Sequence, residues 1–134
     1  MDYGWIAESL VLCIDNDLNI LDGMATLLRG WGCKALQAVD LPGAIAAVQA
    51  AGKIPNGLLV DYHLDHGNGI ETVVALRRRF GEAIPAVLIT ADRSPDVREA
   101  ARAKAIQVLN KPLRPASLRA LMSQWMVHRT AAAE

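Results

Sequence analysis

Short apolar runs alternate five times with longer segments of helical periodicity, and this alternation leaves few folds open to the chain. The apolar runs lie at Leu10–Ile14, roughly Lys34–Val39, Leu58–Val60, Ala86–Thr90 and Ile106–Leu109. Strands that alternate with helices form a parallel sheet whose right-handed crossovers place helices on both faces. We therefore predict an α/β fold with a doubly wound, five-stranded parallel sheet and (βα)5 order.

The helical segments carry apolar residues at steps of three and four, and some carry recognisable ends. In the first helical segment, the residues predicted to face the sheet are Ile20, Met24, Leu27, Leu28 and Trp31. Asp40 and Ser94 are predicted to cap the second and fourth helices at their N-termini. The run Arg77–Arg79 falls near the end of the third helix, where we expect it to be solvated, with a docking patch as the alternative.

Composition and charge narrow the classes of function. The 134 residues include 14 Lys plus Arg and 14 Asp plus Glu, so a zero net charge gives no electrostatic reason to expect nucleic-acid binding. No apolar stretch approaches the roughly 20 residues that a membrane span needs, and the acidic opening does not resemble a signal peptide. We expect a soluble domain at 9–127, with an N-terminal extension at 1–8 and a C-terminal tail at 128–134.

Polar residues follow the apolar runs at the same end of the predicted sheet. Asp15 and Asn16 follow the first run, Asp61 follows the third, Thr90 ends the fourth, and Lys111 follows the fifth. The carboxyl ends of parallel strands meet at one edge of a sheet, so these side chains are expected to converge. Mg²⁺ takes one or two protein carboxylates plus phosphate oxygens, and a carboxylate can form an aspartyl phosphate. The set therefore matches the needs of phosphoryl transfer.

In this order, these motifs resemble the receiver domains of two-component response regulators over about residues 9–127. The resemblance implies a flavodoxin-like receiver fold and a phosphorelay role, with a cis peptide bond before Pro112. The site residues it implies are the phosphoacceptor Asp61, the switch hydroxyl of Thr90, the phosphate-binding Lys111 and, for Mg²⁺, Asp15, Asn16, Asp61 and the backbone carbonyl of His63. The implied partner is a histidine kinase or a histidine phosphotransfer domain. No direct contact with nucleic acid or membrane is expected of this segment, and a homodimer is left open.

Some stretches, among them Gly30–Cys33 and Leu109–Leu113, are most similar to the C-terminal receivers of hybrid sensor histidine kinases. The parent protein could then be a membrane-anchored kinase with this domain in the cytoplasm. A stand-alone single-domain response regulator and a non-phosphorylated receiver-like interaction module are the alternatives. Whether the domain counts as an enzyme is left open, because a phosphoacceptor can also hydrolyse its own acyl phosphate.

Two positions depart from the receiver pattern. Asn16 stands where many members carry a second acidic residue, so one formal charge is missing and weaker metal affinity is expected. Val108 stands where many members keep a switching Tyr or Phe. The readout of Thr90 movement is therefore expected to be subtle or to use another surface.

Two other classes of function compete less well. The loop from Asp61 to His66 is similar to the metal loop of metallo-β-lactamase-like hydrolases, but the only further histidine is His128 and the chain is short for that fold. A nucleotide or flavin binder is also disfavoured, because no Gly-rich phosphate loop follows the first strand.

Overall fold

The computed structural model describes residues 8–81 and 83–133, with side chains as far as Trp125. Within this part of the chain the strands are β1 (Leu10–Ile14), β2 (Lys34–Ala38), β3 (Gly57–Asp61), β4 (Ala86–Thr90) and β5 (Gln107–Asn110). The helices are α1 (Leu18–Gly30), α2 (Leu41–Ala51), α3 (Gly69–Phe80), α4 (Pro95–Ala103) and α5 (Pro115–Ala133). Apart from Glu8, the expected extension at 1–8 lies outside the described residues, as do the side chains of the expected tail at 128–134.

The described strands form a single parallel sheet in the order β2-β1-β3-β4-β5. The order reverses direction at β1, so strands are added outward on both sides of the β1–β3 pair. A sheet of this kind is doubly wound, and the predicted fold class is confirmed.

The two faces of the sheet are covered by different helices. Leu12 of β1 and Val60 of β3 pack with α2, α3 and α4, whereas Val11 and Leu59 pack with α1 and α5. Successive side chains of a strand point to opposite faces, so a strand covered on both sides must be apolar throughout. Every residue of β1, β3 and β4 is buried. Polar side chains of these strands can therefore reach solvent only near the strand ends.

Side-chain caps begin the first four helices. The carboxylate of Asp40 accepts the Gly43 N–H at 2.8 Å, and the Ser94 hydroxyl accepts the Val97 N–H at 3.4 Å, as the sequence predicts. Asp17 and Asn68 cap α1 and α3 in the same way. Each cap satisfies a backbone donor that the first helical turn leaves open, which fixes where the helix begins.

The buried face of α1 differs from the predicted face. Leu21 and Ala25 are buried, whereas Ile20 and Leu27 are half-buried. The latter two line an open groove between α1 and the segment after β5. Of the five residues predicted to face the sheet, Met24 and Leu28 are buried as expected.

Arg77 is not solvated, so the expectation for the arginine run is wrong at this position. Its side chain is buried, and its guanidinium donates hydrogen bonds to the backbone carbonyls of Ile84, Lys104 and Ala105. The exposed residues of the run are Arg78 and Arg79. These carbonyls lie in the loops before β4 and β5, where a charged fork can satisfy several acceptors at once.

The C-terminal helix α5 closes the second face of the sheet. Leu118, Met122 and Trp125 are buried on it. Gly57, the first residue of β3, makes room for the indole ring, because a Cβ at that position would overlap it. Although α5 is 19 residues long, neither it nor any other described helix has the sustained apolar character that crossing a bilayer requires.

Candidate functional site

The ends of β1, β3, β4 and β5 bring the predicted site residues to one edge of the sheet. Asp61 is the last residue of β3 and Thr90 the last of β4, while Asp15 and Lys111 directly follow β1 and β5. The parallel registers pair Ile14 with Val60, Asp61 with Ile89 and Thr90 with Asn110, so the four positions are staggered by at most one residue from each strand to the next. The sequence-based expectation of a shared edge thus agrees with the backbone.

Asp61 lies in an ion pair at the floor of this edge. Its side-chain oxygen Oδ1 is 3.2 Å from Lys111 Nζ. The residue is only 3% exposed, whereas about a third of the Lys111 side chain is exposed, at 34%. Among the described residues Oδ1 has no hydrogen-bond partner, so the ammonium offsets its charge without a directed bond. A buried carboxylate with unused acceptor capacity beside a cation is suited to taking up a further charged group.

Asp15 is the second buried carboxylate, with 1% of its surface exposed. Its Oδ1 accepts the Asp17 N–H at 2.8 Å, while Oδ2 is buried and lacks a hydrogen-bond partner in the described part of the chain. Burial is the main cause that raises the pKa of Asp15, and the nearby charge of Asp61 adds to it. The Asp17 N–H and the Lys111 ammonium act in the opposite direction.

These two carboxylates suit a divalent cation that uses few protein ligands. Asp15 and Asp61 would hold such a cation, since Mg²⁺ commonly binds through one or two carboxylates while keeping several waters. Among the described side chains, which end at Trp125, no three of His, Cys, Asp or Glu form a group that could hold a metal ion. Zinc enzymes use three protein ligands or more, so the described residues offer the zinc-hydrolase alternative no ligand set.

The loop between β3 and α3 folds back over the end of β3. His63 and Asn68 form an antiparallel bridge, and the Gly69 N–H donates to the Tyr62 carbonyl at 2.9 Å. A Cβ at Gly69 would overlap the Asp61 carbonyl oxygen, so α3 begins in direct contact with the end of β3. The loop places the backbone of His63 two residues beyond the buried carboxylate, while its imidazole is exposed.

Asn16 contacts a residue that the sequence did not single out. Its side-chain amide donates to Asp65 Oδ1 at 2.9 Å across 49 positions of the chain. Both residues are exposed. The sequence signal for Asp65 was its place in the loop from Asp61 to His66, which is weak because loop conformation decides where such a side chain lies.

The hydroxyl of Thr90 is buried and accepts the Asp92 N–H at 2.9 Å. The Asn110 amide donates to the carbonyls of Thr90 and Asp92, at 3.2 and 3.3 Å, and its oxygen accepts Arg98 Nη2 at 2.6 Å. Hydrogen bonds from the backbone and side chain of Ser94 lower the pKa of Asp92. A polar chain thus joins the end of β4 to α4.

The backbone around Lys111 and the neighbouring strand agree with the sequence pattern. The Lys111–Pro112 peptide bond is cis, as expected. Val108 is half-buried and packs against the core on the α2–α4 side of the sheet. An aliphatic side chain therefore fills the position at which many receivers carry an aromatic residue.

An apolar groove of about 650 Å³ lies beside the ion pair. Ile20, Gly23 and Leu27 of α1 form one wall, and Pro112 and Leu113 form the other. Lys111 stands at its edge. A surface that is apolar and open next to a charged site can receive the side chains of a partner protein.

Comparison with known proteins identifies the family. The family model of the response regulator receiver domain matches residues 11–123. The transcriptional regulatory protein ZraR of Klebsiella oxytoca is 30% identical over 119 residues, which cover 88% of this chain and 26% of that protein. Its counterpart from Salmonella typhimurium is 32% identical over 104 residues, covering 77% of this chain and 23% of that protein. The chain thus spans about a quarter of the length of these relatives.

Solved structures agree on the fold. The chemotaxis protein CheY4 of Vibrio cholerae is 23% identical, with a TM-score of 0.78 over 88% of this chain and 98% of that chain. A CheY-like receiver domain protein from Methanospirillum hungatei is 17% identical, with a TM-score of 0.82 over 94% of this chain and 99% of that one. These likenesses show a CheY-like, flavodoxin-type fold. Together with the family match over most of its length, they lead to one conclusion: the chain belongs to the receiver domain family of two-component response regulators.

Proposed function

We propose that this receiver domain accepts a phosphoryl group from a phosphohistidine onto Asp61 and changes conformation in response. The observation that carries the proposal is the buried Asp61 carboxylate, 3.2 Å from the Lys111 ammonium and beside the buried carboxylate of Asp15. Receiver domains interact with histidine kinases or phosphotransfer proteins, so the donor is one of these.

In the proposed transfer, a carboxylate oxygen of Asp61 attacks phosphorus. The new P–O bond forms as the P–N bond to the donor imidazole breaks, and the imidazole keeps the electron pair and takes up a proton. The phosphoryl oxygens carry negative charge throughout, so positive groups around them favour the transfer. Lys111 Nζ provides one such group. The Thr90 hydroxyl, which accepts the Asp92 N–H, still carries a proton that it can donate to a phosphoryl oxygen.

Receiver domains generally bind Mg²⁺ at the phosphorylation site, and the residues of this chain fit that ion. The proposed ligands are Asp15, Asn16, Asp61 and the backbone carbonyl of His63. Bound Mg²⁺ would supply positive charge against the carboxylates and the phosphoryl oxygens. Asp15 Oδ2, which is buried without a hydrogen-bond partner among the described residues, supports this proposal.

The proposed conformational response runs from Thr90 to α4. An inward movement of Thr90 would disturb the Asn110 amide bonded to its carbonyl, and Asn110 holds Arg98 of α4. Among the described residues of α4, only Val97 and Ala101 are buried, so few apolar contacts oppose a shift of this helix. Phosphorylation would thereby bias two existing arrangements of the α4 region.

The apolar groove along α1 is the proposed docking surface for the phosphodonor. It lies beside Lys111, so a partner seated there could present a phosphohistidine to Asp61. We further propose a cytoplasmic location, because the kinases that charge such donors use ATP.

Attachment to a hybrid sensor histidine kinase is a narrower proposal. It rests on sequence features that the phosphoryl chemistry does not require, namely the Trp31-Gly32-Cys33 junction and Asn110 before Lys111. The curated relatives described above are transcriptional regulatory proteins, so a response regulator of that kind is the alternative parent. The coding sequence on either side of this segment distinguishes them, since a kinase core would be adjacent in one case and an output domain in the other.

Labelling with a small phosphodonor tests the proposed function. With Mg²⁺ and acetyl phosphate, wild-type protein should gain one base-labile phosphoryl group by intact mass, whereas Asp61→Asn should gain none, because an amide cannot act as the nucleophile. Asp17→Asn is the matched control: it makes the same change on a nearby exposed residue and leaves a good helix cap. Equal labelling of the Asp61→Asn variant, or failure of wild type to label at all, would refute the proposal.

A further inference from the structure

The side chains of Asn16 and Asp65 form a hydrogen bond whose direction is set by chemistry. An ionised carboxylate only accepts hydrogen bonds, so the atom of Asn16 that faces Asp65 Oδ1 must be the amide nitrogen. The amide oxygen is consequently turned away from Asp65. A carboxamide held at its nitrogen in this way presents its oxygen as a ligand or as an acceptor for a bound water.

The two residues of the pair belong to the loops that follow the two buried carboxylates. Asn16 directly follows Asp15, whose Oδ2 is buried without a hydrogen-bond partner among the described residues. Asp65 belongs to the loop that folds back over the end of β3, four residues after Asp61. The bond between them therefore connects the β1–α1 loop to the β3–α3 loop at the rim of the site.

The charges around the site indicate what the hydrogen bond between Asn16 and Asp65 could contribute to cation binding. Asp15, Asp61 and Lys111 together carry one net negative charge; the charge of Asp17 also acts on Asp15, and Asn16 adds none. The carboxylate of Asp65, at 2.9 Å from the Asn16 amide, places a further negative charge at the rim. Polarising the amide also makes its oxygen a better ligand, as carboxylates that hydrogen-bond to metal ligands do in other sites.

We propose that Asp65 is a positioning residue of the cation site: it orients and polarises Asn16 and supplies the negative charge that an acidic residue at position 16 would carry. This inference rests on the proposed function. Asp65 acts through Asn16 and not as a direct ligand, because the described acidic side chains do not form a three-membered metal group.

Magnesium affinity, measured by calorimetry without any phosphodonor, tests the proposal. Asp65→Ala should weaken Mg²⁺ binding by about 10- to 100-fold, the usual effect of removing a partner of a metal ligand. His66→Ala is the matched control in the same loop, because it also truncates an exposed side chain, and it should bind Mg²⁺ as wild type does.

The double variant separates positioning from a merely structural role. Asn16→Asp should restore most of the affinity in the Asp65→Ala background, because a carboxylate at position 16 needs no orienting partner. The same change in the presence of Asp65 should gain less, since two carboxylates would then face each other. A loop that needed Asp65 only for its shape would show no rescue.

The outcomes distinguish this inference from the function on which it rests. If wild type binds Mg²⁺ and labels on Asp61 while Asp65→Ala binds Mg²⁺ equally well, or shows no rescue, the inference is wrong and the proposed function stands. If wild type neither binds Mg²⁺ nor labels, both are wrong. Asp65→Asn gives a second reading, because it keeps an acceptor for Asn16 and removes the charge, so an intermediate loss of affinity is expected.

Discussion

Asp15 is a buried carboxylate whose charge destabilises the metal-free fold. Its pKa is raised above the ordinary 3.8, chiefly by burial, and its Oδ2 lacks a hydrogen bond within the described residues. Asp15→Asn removes the charge and keeps an oxygen to accept the Asp17 N–H. In the absence of divalent cations, we expect the variant to be more stable than wild type at neutral pH, by about 1–2 kcal/mol.

The size of this effect depends on pH. Well below pH 3.8 the carboxyl is protonated in both the folded and the unfolded state, so its charge contributes no difference. As the pH rises, the folded state holds the proton longer than the unfolded state, so wild type loses stability until the raised pKa is passed. The advantage of the variant over wild type should therefore grow through this window and level off above it.

Urea unfolding of both proteins in chelator, at several pH values, measures this difference. Asp22→Asn, which makes the same change at an exposed position of α1, is the control. Added Mg²⁺ should reverse the order at neutral pH, because only wild type keeps both carboxylates. A constant difference between Asp15→Asn and wild type across pH would contradict the interpretation of Asp15 as a buried charge.

At this same scale, the sequence predicted which residues reach the sheet edge but not how their side chains are held. Strand-end position follows from local pattern, so Asp15 and Asp61 could be placed from the sequence. The bond between Asn16 and Asp65 could not, because it depends on how two loops, 49 positions apart, fold toward each other.

Element boundaries were predictable where the signals are local. The strands that begin at Leu10 and Ala86, and the caps Asp40 and Ser94, were placed correctly because each depends on adjacent residues. The burial of Arg77 was not predicted because its partners are backbone carbonyls in the loops before β4 and β5, and the conformation of these loops is not evident from the helix sequence. Burial of a long cationic side chain against backbone acceptors leaves no trace in the periodicity of its own helix.

Arg77 is expected to be a main connection between α3 and the loops that precede β4 and β5. Arg77→Ala would leave the carbonyls of Ile84, Lys104 and Ala105 without this charged donor, and we expect a loss of about 2–4 kcal/mol in unfolding free energy. Arg78→Ala, on the exposed side of the same helix turn, should change it by less than about 0.5 kcal/mol. Chemical denaturation of the two variants compares them directly, and equal losses would show that the three hydrogen bonds contribute little.

For the molecule as a whole, the core of the sheet and the charged edge depend on the same strands. β1 carries the buried thiol of Cys13 two residues before Asp15, and β3 carries Asp61, the proposed phosphoacceptor, at its end. A ligand that binds only where these strand ends meet should stabilise the entire fold, because unfolding must release it. A measurement of how often the core opens can thus show whether a ligand is bound at the strand ends.

The reactivity of Cys13 makes this coupling measurable. The residue is fully buried in the centre of β1, and burial raises its pKa to about 12. Because the thiolate is the reactive form, a disulfide reagent should modify Cys13 only in molecules whose sheet has opened. In a Cys33→Ala background, saturating the protein with Mg²⁺ and beryllium fluoride, a phosphoryl mimic, should slow modification by a factor close to 1 + [L]/Kd.

At a ligand concentration 100 times its Kd, the expected slowing is therefore about 100-fold, provided that the sheet recloses faster than the reagent attacks. Asp61→Asn in the same background is the control, since it cannot form the beryllofluoride adduct and should be slowed only by whatever Mg²⁺ binding it retains. If the mimic slows Cys13 modification equally in both proteins, protection does not arise at Asp61. If the mimic slows modification in neither protein, ligand binding at the strand ends is not coupled to opening of β1. The sheet and the strand ends would then have to open independently.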